Sequence, residues 1–474
     1  MCCKNLIHAL SLILTRKLRR MLALSRVAPA ARHPARHLPR LLHTSVPLRE
    51  LDRTRRSQLL AKELTKARSI SELVTMHKDY RAGIGHVHMP TLWHKLSVLS
   101  RRREQRLWLK EHTPQLASLC DHTVELLPEI GTNGLASTAS SLARTGLSGP
   151  PATAMWAALD AEAQATLGEC GAKELSSVAW AFAMARRRAP ELLEGLSAEA
   201  QLRLEEFNAQ NLSDTAWAFA KARHSAPALF EALSAEAEGR LAEFGARELS
   251  SMAWAFATAR HPAPALFEAL GTQAQERLAE FNAQELANTA WAFARAKHDA
   301  PALFDALGAE AQRRLAEARA MELSSKFGAE GLASTAWAFA TAKHAAPELY
   351  EELAAEAQGR LNEFSAQGLA NTAWAFATAQ HPSPALFESL AVEAQARTGE
   401  FTPQGLANTA VAFATAGHDA PTLFDAFGAE ALRRVGEFNP QDLAGVTRAF
   451  RLAEHEAPEL LEALRVAGEG RRVP

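Results

Sequence analysis

The sequence has few cysteines, few tyrosines and no apolar segment of membrane-spanning length. Its 474 residues include 4 cysteines and 2 tyrosines, and neither Cys120 nor Cys170 belongs to the kind of closely spaced set of cysteines and histidines that a zinc site needs. This spacing argues against a disulfide framework and against a metal site, so we interpret both as reduced packing residues. The apolar run at Leu6–Thr15 has about half the roughly 20 residues of a transmembrane helix. We therefore predict no membrane span.

Sequence motifs for catalysis are also missing. No glycine-rich phosphate loop, nucleophile elbow, HExxH motif or paired-carboxylate arrangement stands out. Acids and histidines are frequent only because one unit is repeated. We therefore predict that the protein is not an enzyme and needs no cofactor.

The net charge of −1 conceals a gradient along the chain. Residues 1–49 contain ten Lys/Arg and no acid, 50–112 contain fourteen basic and seven acidic residues, and 113–474 contain 28 basic and 46 acidic residues. The Arg-rich segment 1–49 closes with RLLHTS at Arg40–Ser45, which resembles a mitochondrial processing-peptidase site. We predict an organelle targeting presequence and a mitochondrial matrix location. A plastid transit peptide and a secretory signal peptide are the alternatives.

One helix-sized phrase, LANTAWAFATA at Leu369–Ala379, recurs along the chain. Successive copies are 37 residues apart except for one interval of 46. A weaker copy begins at Gly134. The residues in the central position of the later copies are Trp180, Trp217, Trp254, Trp291, Trp337, Trp374, Val411 and Arg448.

The unit at Phe281–Ala318 predicts two helices. Asn282 and Glu285 form a capping-box pattern, so the first helix should begin at Ala283 and end near His298. Pro301 suits the first position of the second helix. Helices of about 14 and 17 residues fill the unit, and only stacked copies can bury its apolar stripe, so we predict an all-α fold, an α-solenoid. The predicted parts are a presequence (1–49), a basic helical N-terminal segment (50–130), the repeat array (131–465) and a tail (466–474).

The tryptophans are predicted to seal the joints between units. In the reference unit Trp291 lies on one flank of the helix, while Thr289 and Ala296 lie on the other, which suggests that each ring packs into a notch of small residues. Val411 fits this interpretation because a repeat near the end of the array has fewer neighbours. Base stacking by the indoles is the alternative. The nine extra residues near 318–326 predict a local irregularity between units.

The phrases FNAQELANTAWAFA (Phe281–Ala294) and FTPQGLANTAVAFA (Phe401–Ala414) resemble octotricopeptide-type repeats. They are equally similar to the helical regions of FAST-kinase-domain-containing proteins and of RNA-editing substrate-binding complex subunits. This resemblance implies an organellar RNA-binding protein acting in RNA processing, stability or rRNA maturation. Many such proteins end in a RAP domain, but the repeats run to about Leu464, so we do not expect one in this chain. The implied partners are single-stranded organellar RNA and other ribonucleoprotein subunits.

The outward stripe of the first helix is the predicted RNA-binding surface. Modular helical-repeat proteins that recognise single-stranded RNA contact about one base per repeat through two or three side chains. A first ladder offers polar side chains, although such residues are also common near helix starts: Ser177, Asp214, Ser251, Asn288, Ser334, Asn371 and Asn408. A second ladder includes Lys221 and Arg295. A cationic ladder could follow a phosphate backbone or could simply complement helix dipoles: Arg186, Arg223, Arg260, Lys297 and Lys343.

Two further observations bear on this prediction. Seven histidines also recur once per unit, but packed helices lie about 8–10 Å apart, so neighbouring units cannot share a metal ion and helix-end packing is expected. The excess of acids in the array opposes RNA binding, unless the acids lie mainly on the second helices. A protein-interaction scaffold that uses the same solenoid face is the alternative function.

Overall fold

A computed structural model describes residues 53–321 and 327–469 of the chain. The predicted presequence, the last part of the tail and residues 322–326 of the insertion lie outside the described residues. Within these ranges every regular element is a helix, as the repeat pattern predicts. From Ser57 onward the described helices belong to one compact unit.

In the described part of the chain, five helices precede the regular repeats. The fifth bends at Gly131, which follows Pro128 by three residues and has a φ of 72° that only glycine adopts readily. The part of this helix after Gly131 contains the weak copy that begins at Gly134, and it packs against the next two helices of the chain. The five are α1 (Arg53–Lys66), α2 (Ile70–Tyr80), α3 (Met89–Leu99), α4 (Arg103–Glu111) and α5 (Ala117–Thr145).

The repeat array consists of paired helices, and we call the two members of each pair the first and the second helix. The first helices are α7 (Ala172–Met184), α9 (Ala209–Ala222), α11 (Ala246–Ala259), α13 (Ala283–Ala296), α15 (Ala329–Ala342), α17 (Ala366–Thr378), α19 (Pro403–Ala416) and α21 (Pro440–Leu452). The second helices are α6 (Pro150–Thr166), α8 (Pro190–Gln201), α10 (Pro227–Glu238), α12 (Pro264–Glu276), α14 (Pro301–Ala320), α16 (Pro347–Gln358), α18 (Pro384–Ala396), α20 (Pro421–Arg433) and α22 (Pro458–Glu469).

The local signals of the reference unit are confirmed. Asn282 accepts hydrogen bonds from the backbone N–H groups of the first turn, and Glu285 accepts one from the N–H of Asn282, so α13 begins at Ala283 with a capping box. Pro301 occupies the first turn of α14. Alanine-rich first helices pack closely along the array, and they contact one another more extensively than the second helices do.

The predicted 17-residue second helix is wrong for most units. These helices have 12 or 13 residues and are followed by a three-residue 3₁₀ helix, as in α10 and Leu241–Glu243. The 3₁₀ turn brings the following phenylalanine into the interior, where Phe244 and Phe281 are almost completely buried. A continuous 17-residue helix would carry that ring past the core.

The insertion lengthens one second helix and leaves the first helices in register. In α14 the helix extends to 20 residues. The indoles of Trp291 and Trp337 on either side of the insertion are nevertheless 6.2 Å apart, within the range of the other units. As far as the described residues show it, the irregularity lies in the second-helix layer, where Arg319 forms an ion pair of 2.6 Å with Glu352.

Candidate nucleic-acid interface on the first helices

Six indoles form a continuous row of ring contacts along the first helices, which we call the indole ladder. Neighbouring rings have centroids 6.1–6.4 Å apart and interplanar angles of 28–34°. Each ring joins two units, as predicted, but ring-into-notch packing is wrong, because the same side chain in the same register meets its own copy in the next unit. All six rings remain half-buried: Trp180, Trp217, Trp254, Trp291, Trp337 and Trp374.

The first ladder lies beside the indoles at the sixth residue of its helices. These residues do not cap their helices, since residues such as Asn282 do so. Asn288 accepts a hydrogen bond of 2.9 Å from Gln284, and Asp214 accepts bonds of 3.3 Å from Gln210 and Arg247. Ser177, Asp214, Ser251, Asn288, Ser334 and Asn371 are half-buried, and Asn408 is exposed.

The cations of the second ladder lie next to the indole ladder. Lys221 and Arg295 are exposed. The Lys221 ammonium is 5.8 Å from the ring centroids of both Trp217 and Trp254. Cations at such distances interact favourably with the face of an indole. The ladder therefore combines aromatic surface with positive charge.

Arg144 occupies the equivalent position in α5, and sequence reasoning missed it. Its guanidinium carbon is 4.9 Å from the centroid of Trp180. The signal was present, because Arg144 follows Ser140, the central residue of the early copy, by the four residues that separate Trp217 from Lys221. The weak match of that copy to the repeat hid the equivalence.

The cationic ladder occupies a left-handed turn at the end of the first helices. Arg186, Arg223, Arg260, Lys297 and Lys343 have φ values of 52–57°. In α13 the N–H of Lys297 donates to the carbonyl of Ala294 and the next N–H donates to that of Phe293, which closes the helix. The turn does not require a cation, because Gln380, Gly417 and Glu454 adopt the same conformation. The five cations are exposed, and their proximity to the helix C-terminus also agrees with the dipole interpretation.

The recurring histidines pack at the joints, as expected. His298 lies 5.6 Å from the rings of both Phe293 in its own unit and Phe267 in the preceding one. Its imidazole is also 3.4 Å from the carboxylate of Glu268. In the described ranges no group of three His, Cys, Asp or Glu side chains could hold a metal ion. The observed contacts of the recurring histidines are with phenylalanine or tyrosine rings and with carboxylates.

A row of arginines after the second helices, also missed from the sequence, ties each unit to the one before it. Arg397 donates to the carbonyl of Phe364 at 2.7 Å and pairs with Glu393 and Glu400. The recurring Glu-xxx-Arg-xx-Glu spacing was the available signal. Six members donate to a carbonyl of the preceding unit: Arg203, Arg277, Arg314, Arg360, Arg397 and Arg434.

The acids are concentrated in the second-helix layer. The seven second helices α8 to α20 contain 19 acids. The seven first helices α7 to α19 contain five: Glu174, Asp214, Glu248, Glu285 and Glu330. Of these, Glu248 and Glu285 are used in capping boxes. The first-helix face therefore has little of the negative charge that the composition suggests.

The fold and this face define an all-α helical-repeat protein with an aromatic and polar track along its first helices. A family model described as RNA-editing substrate-binding complex 6 protein matches residues 154–317 and 310–468. The chain belongs to this family. The predicted resemblance to RNA-editing substrate-binding complex subunits is thus confirmed, while the octotricopeptide and FAST-kinase resemblances stay predictions.

The other comparisons add little. The search of curated proteins gave no match to the chain. Among solved structures, a chain of one titled "Homology model of the full-length AP-3 complex in an intermediate open conformation" is 9% identical over 87% of this chain and 82% of that chain. Its TM-score of 0.31 is too low to support an argument. Among the helices of the described residues, none is long and apolar enough to cross a membrane.

Proposed function

We propose that this protein is an RNA-binding subunit of a mitochondrial RNA-editing or RNA-processing assembly, and that it acts by binding rather than by catalysis. The family description names an RNA-editing substrate-binding complex. Single-stranded RNA is the proposed ligand, and other subunits of the ribonucleoprotein are proposed partners.

The chemistry of the first-helix face supports this proposal. Half-buried side chains such as Asn288 and Asn371 can hydrogen-bond with base edges, and exposed cations such as Lys221 and Arg295 can contact phosphates. These groups repeat with the unit and lie on both sides of the indole ladder. Repetition of this kind suits a ligand that is itself a polymer.

The observation that carries the proposal is the separation of charge between the two helix layers. A uniform excess of acids would repel a polyanion, but the acids lie mainly on the second helices. The arginines at the joints are already paired with glutamates there, as Arg397 is with Glu393 and Glu400. The first-helix face is consequently the part of the array that an RNA strand can approach.

Crosslinking of the tagged full-length protein in cells, followed by sequencing of bound RNA, tests this proposal. Enriched organellar transcripts are expected. The association constant of the purified protein for single-stranded RNA should fall as the salt concentration rises. In a plot of its logarithm against the logarithm of the salt concentration, the slope should be about −0.7 per phosphate contact. Absence of enriched RNA together with salt-independent binding would contradict RNA binding.

The scaffold alternative is favoured by the acidic second helices, which would suit a basic protein partner. Substitution separates the two functions. Replacing Asn288 and Asn371 by alanine should weaken RNA binding, whereas charge reversal at exposed acids such as Glu231 and Glu268 should weaken a protein partner. Retention of partners after RNase treatment, with loss only in the charge-reversed variant, would favour the scaffold.

The proposed mitochondrial location depends on residues 1–49. Full-length protein with a C-terminal fluorescent tag should accumulate in the matrix, and removal of residues 1–49 should leave it outside the organelle. Import into plastids would instead support the alternative, a plastid location.

A further inference from the structure

We infer that Arg101, Arg144 and Arg247 form a phosphate-binding site for single-stranded RNA at the N-terminal end of the indole ladder, beside Trp180. This inference rests on the proposed function and assigns the phosphate contacts to one end of the track. It predicts that phosphate contacts are concentrated at the N-terminal end of the array.

The geometry begins with the contact between Arg144 and Trp180. Trp180 is the first indole of the ladder, so one of its neighbours is not another indole, and the Arg144 guanidinium is 4.9 Å from its centroid. An exposed guanidinium over an aromatic ring keeps its planar set of N–H donors, which can bind a phosphate through two parallel hydrogen bonds. A base that reaches the indole and a phosphate that reaches Arg144 would thus belong to the same stretch of RNA.

Two further arginines contribute to the field at this end. Arg247, which is exposed on α11, forms an ion pair of 3.3 Å with Asp214. Partial burial lowers the pKa of Arg144, and repulsion from Arg101 and Arg247 lowers it further, while Asp214 acts in the opposite direction. The Arg144 guanidinium is therefore close enough to Arg101, Arg247 and the Asp214 carboxylate for its charge to interact with all three. A bound phosphate would relieve the repulsion between the arginines.

Asp214 does not cancel this excess of positive charge. Burial raises the pKa of its carboxyl group, and Arg247 and Gln210 partly offset that effect. The carboxylate is already occupied by the side chains of Gln210 and Arg247. Asp214 is thus paired with Arg247, and no ion pair is observed between it and Arg144.

The other end of the track has a different composition. In α15, α17 and α19, the positions equivalent to Arg144, Lys221 and Arg295 are occupied by threonines, namely Thr341, Thr378 and Thr415. The first-ladder residues there, such as Asn371 and Asn408, are neutral. Phosphate attraction should therefore be strongest at the N-terminal end, and contacts to base edges should dominate towards the C-terminal end.

The test measures binding of a fluorescently labelled oligouridine to the full-length protein across about 50 to 200 mM salt. The Arg101→Gln/Arg144→Gln variant should bind the probe about tenfold more weakly at the low-salt end. Its log–log salt slope should fall by about 1.4, which corresponds to two lost phosphate contacts. The Arg144→Lys variant, which keeps the charge, should retain most of the slope.

The matched control is Arg313→Gln/Arg433→Gln, which removes the same charge from exposed second-helix positions. It should leave the salt slope unchanged. If wild-type protein binds the probe but both double variants behave alike, the site is refuted and the proposed function stands. A lower melting temperature with an unchanged slope would assign Arg144 a purely structural role and would also refute the site. Salt-independent or absent binding by the wild type would refute the proposed function and this inference with it.

Discussion

Two adjacent arginines at the end of α20 permit a sharp test of how the units are joined. Arg434 is 14% exposed, donates to the carbonyl of Phe401 in the preceding unit at 2.8 Å, and pairs with Glu430 and Glu437. Arg433 is 68% exposed and pairs with Glu430 alone. Replacement of either by glutamine removes one positive charge from almost the same place, so a difference between the variants reports the contact between units.

The expected effects follow from these contacts. A hydrogen bond from a charged group to a partly buried carbonyl contributes about 1.5–3 kcal/mol, and partly exposed ion pairs add less than about 1 kcal/mol each. Arg434→Gln should therefore lower the free energy of unfolding by about 2–3 kcal/mol. Arg433→Gln should leave it nearly unchanged, because the site is exposed and Glu430 keeps its pairing with Arg434.

Urea unfolding followed by circular dichroism measures the loss, and hydrogen exchange locates it. Because stability in a solenoid is a sum of unit and neighbour terms, faster exchange should be confined to α19 to α22. Equal losses in the two variants would mean that charge, and not the bond between units, is what matters. Faster exchange throughout the array would contradict the local character of the joint.

Three other perturbations test the packing. Trp254→Leu removes two contacts between indole rings and should lower the free energy of unfolding by about 1–3 kcal/mol. A loss below about 0.5 kcal/mol, measured by urea unfolding, would show that these ring contacts do not stabilise the array. Burial and, to a lesser extent, the charge of His122 lower the pKa of His77 to about 4. Between pH 6.5 and 4 the unfolded chain therefore binds a proton that the folded chain does not. The free energy of unfolding should fall by up to about 3 kcal/mol across this range as the pH is lowered. A His77→Gln variant with the same pH dependence would contradict that assignment. Burial raises the pKa of Cys120 to about 12 and that of Cys170 to about 11. In a variant without the two N-terminal cysteines, a thiol reagent at pH 8 should therefore label the protein only after unfolding. Rapid labelling of the folded protein would contradict this prediction.

The helices were predictable because their signals are local. The apolar spacing, the capping box at Asn282 and Glu285, and Pro301 lie within one unit, and each acts on the backbone within a turn of its own position. The same signals could not show where the second helix ends. That end depends on the burial of the phenylalanine that follows the 3₁₀ turn, such as Phe244, and on the bond from an arginine of the next unit to its carbonyl, both of which need the neighbouring unit to be in place.

The indole ladder was misjudged for a related reason. A helical wheel places Trp291 on a flank but contains no information on which face of the next helix that flank meets. Stacking by translation brings each residue near its own copy, so large residues meet large residues in an array of identical units. Similarly, the positions of Arg186 and Lys297 in a left-handed turn depend on how the helix closes, which the position of a cation in the sequence does not reveal.

Translation also accounts for the separation of charge in the array. Each unit repeats its acids in the same register, so any acid on the closely packed first helices would lie near its own copies, and like charges close together are unfavourable. The second helices contact one another less extensively, and acids such as Glu430 and Glu437 there pair with arginines. The packing that stacks the indoles thus also disfavours acids on the first helices. A face low in acids, with aromatic and hydrogen-bonding groups repeated at a fixed spacing, is therefore a consequence of how the units are joined, and RNA binding would use a surface that the fold already requires.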